Sequence, residues 1–131
     1  MPKLAVIICL TIFLLPQLSY GQDDGVIYEL RTYTTNEGKL NALHNRFRDH
    51  TMALFVKHGM QNVGYWVPVD KANTLIYLIA HKSQSAAGDS WKAFVADPAW
   101  QKVYAESIAE GALVNNIESV FMHPTDYSPG N

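Results

Sequence analysis

Five histidines, His44, His50, His58, His81 and His123, are the side chains of this sequence that titrate nearest neutral pH. No helix-compatible His-x-x-x-His or His-Glu-x-x-His occurs among them, so no metal site is expected. His50 is the candidate catalytic residue, a general base or a ligand-binding donor, and the competing reading makes it a hydrogen-bonded core histidine. His58 is read as a helix C-terminal residue favoured by the dipole, or as part of a ligand pocket. Glu29, Arg31 and Tyr33 alternate along one segment and so share a strand face, where Arg31 can act as a fork-shaped donor to a carboxylate or an enolate. The competing reading makes Glu29 and Arg31 an ion pair buried where two sheets meet, and a buried charge has to be satisfied in just this way. Trp66, Tyr77, Trp91 and Trp100 can wall a flat organic ligand, or can simply be core. Gly-x-Gly-x-x-Gly, P-loop and Gly-x-Ser-x-Gly patterns are all missing, which argues against nucleotide-dependent and serine-hydrolase chemistry.

The elements that must position these groups are legible from periodicity. Residues 26–33 are rich in β-branched and aromatic side chains and predict a first strand. Thr34 and Glu37 are spaced like a capping box, and Leu40, Leu43, Phe47, Thr51, Leu54 and His58 recur at helical spacing up to a glycine cap at Gly59. At about 100° per residue, His50 and His58 fall roughly 50° and 30° from the centre of that apolar stripe, so both are expected at least partly inside, with Met52 opposite. Residues 60–67 and 74–81 predict a hairpin joined by the turn at 68–73. Ser85 is expected to open the next helix. Asp97 and Pro98 supply an N-cap and first-turn proline for another, and residues 116–122 form the last strand. The order is β-α-β-β-α-β, the split ferredoxin-like unit of an α+β protein.

At the N-terminus, Lys3 precedes an apolar run at 4–15 and a small, polar stretch at 16–21. This is a signal-peptide pattern with cleavage after Gly21, which leaves residues 22–131 as a single domain that is exported, periplasmic or secreted. The run is too short to cross a bilayer, so no stable membrane anchoring is expected after cleavage. Cys9, the one cysteine, leaves with the peptide, and with it any disulfide or thiolate chemistry. Removing Lys3 takes the balance from 10 basic against 12 acidic residues to 9 against 12, a net −3 with no basic cluster. Nucleic acid is therefore not an expected partner.

Both faces of the 74–81 strand are apolar, because Leu75, Tyr77 and Ile79 alternate with Ile76, Leu78 and Ala80. Two helices cover only one face, and a second copy of the sheet is the economical cover for the other. Several segments in order, Tyr28-Glu29-Leu30-Arg31, Glu37-Gly38-Lys39-Leu40, His58-Gly59-Met60, Gly64-Tyr65-Trp66, Asp97-Pro98 before Trp100, and Pro124 to Pro129, resemble the NIPSNAP family across essentially the whole mature chain. The resemblance implies the dimeric α/β-barrel superfamily, in which two ferredoxin-like units pack sheet against sheet around a pocket between sheet and helices. That superfamily includes cofactor-independent monooxygenases, haem-degrading enzymes and isomerases, so the fold does not choose the chemistry. No cofactor is expected, since only the fold would invite a haem ligated by histidine. Mitochondrial roles known for animal members are not carried over, because a signal peptide departs from that setting. Three readings stand: a homodimer binding a small organic ligand, a cofactor-independent monooxygenase or isomerase using His50 with Arg31 and Tyr33, and a structural module for protein interaction.

Overall fold

The computed structural model describes residues 25–130, so the expected signal peptide lies outside the described residues. Strand β1 (Ile27–Thr35) is followed by α1 (Leu40–Arg46), a π-helical turn (Phe47–Thr51) and α2 (Met52–Lys57). Strands β2 (Gln61–Trp66) and β3 (Thr74–His81) form the hairpin, α3 (Gln84–Ala96) and α4 (Pro98–Ser107) follow, and β4 (Val114–Met122) ends the sheet. The strands lie in the order β2-β3-β1-β4, with every neighbouring pair antiparallel. This is the ferredoxin-like α+β architecture expected from the order of elements.

Local chemistry explains most boundaries. Gly59 adopts φ 82°, and the helix ends in a Schellman motif with Met60 N–H donating to the Phe55 carbonyl and Gly59 N–H to that of Val56. Asn73, with φ 59°, takes the left-handed position that closes the β2–β3 turn. Asp97 caps α4 by accepting from Ala99 N–H at 2.9 Å, with Pro98 in the first turn. Two expected caps differ. Thr34 is still in β1, and α1 begins only at Leu40 with no side-chain cap, because the first strand runs on to Thr35 and pairs there with β4. Ser83, not Ser85, caps α3 by accepting from Ala86 N–H, since it is Ser83 whose backbone is extended.

The register of β1 on β3 pairs Glu29 with Ile79, Arg31 with Tyr77 and Tyr33 with Leu75, so all six side chains share one face. The helices lie on that face, and their Leu43, Phe47, Phe55 and Phe94 join Tyr33, Leu75, Tyr77 and Ile79 in one core cluster. The opposite face carries Tyr28, Leu30, Ile76, Leu78, Val120 and Met122, and among the described residues no helix packs over it.

Candidate functional site

Glu29 organises the polar part of the core. Its side chain is 1 % exposed and takes four hydrogen bonds. Arg31 Nη1 donates to Oε1 at 2.7 Å and Ser119 Oγ to the same oxygen at 2.8 Å. Trp91 Nε1 donates to Oε2 at 2.7 Å, and His81 Nε2 stands 2.9 Å from it, which requires that nitrogen to carry the proton because an ionised carboxylate only accepts. Burial alone would raise the carboxyl pKa; the bonds from His81, Trp91, Arg31 and Ser119 outweigh it and bring the value from 4.5 down to about 2.

Arg31 is therefore spent on Glu29, and its guanidinium also lies 4.4 Å from the centre of the Trp91 ring. Burial opposes its charge, but nearby Tyr77 and Tyr33 and the bond to Glu29 hold its pKa above the ordinary arginine range. The pair belongs to the helix face of the sheet and is closed off by Trp91, so it is not buried where two sheets would meet. The outward alternation of β1 had left both faces open to it, and the helices chose.

Beside this cluster, a cleft of about 370 Å³ opens between the sheet and the helices. Tyr33 and Ile117 form its floor, Phe47 and Phe55 one wall, and Trp91, Phe94, Trp100 and Tyr104 the other. Its polar groups include Arg46, Thr51 and the Tyr33 hydroxyl. That hydroxyl accepts from Tyr77 at 3.0 Å and from Arg31 Nη2 at 3.4 Å.

Arg46, which sequence reasoning missed, is 7 % exposed. Its guanidinium lies 5.3 Å and 5.5 Å from the ring centres of Trp100 and Tyr104, and its Nη1 donates to Ser107 Oγ at 3.1 Å. Its Nε is buried without a partner, and among the described residues no carboxylate pairs with it. Burial pushes its pKa below the ordinary arginine value, only partly offset by Tyr33, Tyr104 and Tyr77.

The π turn explains the loss of His50. In a regular α-helix, His50 would stand one turn above Arg46, four residues on. In the π turn, Thr51 takes that place, and its hydroxyl donates to the Arg46 carbonyl at 3.2 Å. His50 is consequently exposed, bordering a shallow recess with Asp49 and Glu106 outside the cleft, which corrects the expectation that it would lie partly inside. Met52 turns the other way and packs against the core instead of standing opposite it.

The other expected site residues are dispersed. His58 Nε2 lies 2.7 Å from Asp97 Oδ2, which Lys57 Nζ also reaches at 2.7 Å, so His58 ties the end of α2 to the start of α4. Tyr77 is wholly buried and stacks on Tyr65 at 5.2 Å. Trp66 is half exposed, with its ring lying across Gly64, where a Cβ would meet it at 2.4 Å. Of the residues singled out beforehand, only Tyr33, Trp91 and Trp100 line the cleft.

The NIPSNAP family profile matches residues 28–129. The chain belongs to the NIPSNAP family. Among solved structures, this NIPSNAP protein is similar to a NIPSNAP family protein of unknown function from Agrobacterium tumefaciens, at 24 % identity and TM-score 0.70 over 80 % of this chain and 93 % of that one. A NIPSNAP-like domain protein from Burkholderia xenovorans is 18 % identical, with TM-score 0.70 over 80 % of this chain and 90 % of its own. The fold extends to SnoaB, a cofactor-independent oxygenase from Streptomyces nogalater, at 15 % identity and TM-score 0.57, covering 80 % of this chain and 98 % of SnoaB. No curated protein matches the sequence significantly.

Proposed function

We propose that this NIPSNAP protein is exported and works as a homodimer that binds a small organic ligand in the cleft between its sheet and its helices. The cleft carries the proposal. Its volume of about 370 Å³ lies within the range of small-molecule sites, and its aromatic walls with a few inward polar groups have the composition such sites share. The apolar face over which no described helix packs supports the dimer, since a second copy buries the same patch on both subunits. Export rests on the charge and apolar run of residues 1–21.

SnoaB shares the fold and is an oxygenase, but that likeness carries the architecture alone. The base expected here for such chemistry, His50, faces away from the cleft. A binding role asks nothing of His50 and is the reading preferred.

Native mass spectrometry of the protein purified from its own source, with no ligand added, tests the whole proposal. The expected species is a dimer of chains beginning at Gln22 that carries extra mass, released on denaturation as a small organic molecule. Chains retaining residues 1–21 would remove export, a bare monomer would remove the sheet-to-sheet dimer, and a preparation that neither carries nor takes up any small molecule would remove the ligand site.

A further inference from the structure

We infer that the cleft takes an organic anion, a carboxylate borne on a flat apolar body, with Arg46 as its counter-charge and the Tyr33 hydroxyl as a second donor. This rests on reading the cleft as a ligand site. A guanidinium buried to this degree ordinarily stands against a carboxylate, as Arg31 does against Glu29. Arg46 has aromatic rings and one serine hydroxyl instead, and its Nε, like that of Arg31, is buried without a partner. It lines the cleft, so the missing acceptor has room to arrive from there.

Tyr33 points to the same ligand chemistry. Its oxygen already accepts from Tyr77 and Arg31, so its own proton remains to be given, and the residue lies on the cleft floor. Arg46 and Tyr33 thus both present hydrogen-bond donors to the cleft, whose other polar lining side chains include Thr51, Asn115 and Asn116. A carboxylate accepts through two oxygens and suits the planar fork of an arginine. A phosphate monoester would bring up to two charges against Arg46, the one cationic side chain that lines the cleft among the described residues. The rings of the walls, Phe47, Trp100 and Tyr104 among them, favour a flat body.

The test compares 2-naphthoate with the isosteric neutral 2-naphthamide by isothermal titration calorimetry on the mature protein. Wild type is expected to bind the naphthoate at least about tenfold more tightly than the amide, as a charge-assisted pair in a largely desolvated site should. Arg46→Gln should abolish that preference by weakening the naphthoate and leaving the amide unchanged, and Tyr33→Phe should reduce it several-fold. Equal affinities for the two probes in wild type would overturn the anion inference while leaving the cleft a ligand site. Binding of neither probe at millimolar concentration would overturn both. If Arg46→Gln does not fold, the comparison in wild type still decides, because it needs no variant; equal weakening of both probes in a folded variant would reduce Arg46 to a structural role and also sink the inference.

Discussion

At the residue scale, the contrast between the two buried arginines is the main result. Arg31 and Arg46 have the same chemistry, yet one is neutralised by Glu29 and the other has no carboxylate partner among the described residues. Glu29 itself makes a measurable claim. Because its folded pKa of about 2 lies below the ordinary 4.5, the ionised form stabilises the fold above pH 4.5, and that contribution fades as pH falls from 4.5 towards 2. The difference is worth about 3 kcal/mol at neutral pH. Glu29→Gln is therefore expected to lower stability by roughly that amount at pH 7, with Arg31 left buried beside a neutral amide. Urea unfolding at a series of pH values should show the gap between wild type and variant closing below pH 4.5. A gap that stays constant down to pH 2 would mean that the carboxylate is not held in its charged form. The alternation of Glu29, Arg31 and Tyr33 was legible in the sequence, but which residue kept a free donor was not. That depended on Trp91, His81 and Ser119, brought to Glu29 from 52 to 90 residues away.

At the element scale, the decisive feature is the π turn at Phe47–Thr51. Regular helical periodicity advances a constant 100° per residue, and one extra residue in a turn rotates everything beyond it. The same insertion moved His50 out, Met52 in and Thr51 over Arg46. Thr51→Val keeps the shape of this buried side chain and removes only its bond to the Arg46 carbonyl. The expected cost is about 1 kcal/mol, read as a shifted midpoint in urea with an unchanged slope. A variant as stable as wild type would show that packing alone holds the turn. The caps were more legible where they act within three residues, as at Asp97 and Gly59, than where a strand competed for the same residues, as at Thr34. Local hydrogen bonding decides the first kind, and pairing with a distant strand the second.

At the scale of the whole molecule, the proposed dimer depends on the face that the helices leave bare. Leu78 sits at its centre, paired across β1 with Leu30, which in turn pairs with Val120. A stable interface buries roughly 800 Å² on each partner, and a carboxylate placed at its middle would be desolvated without a counter-charge. Leu78→Glu is accordingly expected to run as a folded monomer in size-exclusion chromatography with light scattering, with the circular dichroism spectrum unchanged and wild type running as a dimer. A variant that still dimerises would exclude this face as the contact. The cleft lies on the other side of the sheet, so the monomeric variant should retain the binding of any cleft ligand.

The number and order of the strands, the glycine and aspartate caps, the family, and the two-faced apolarity of β3 were all legible along the chain. Each of these is written in neighbouring residues or in a period short enough to read along the chain. Which arginine lines the cleft and which histidine leaves it emerged with the packed fold. Those outcomes turn on a helical irregularity with no compositional mark, and on partners that become neighbours only when α3 and α4 close over β1.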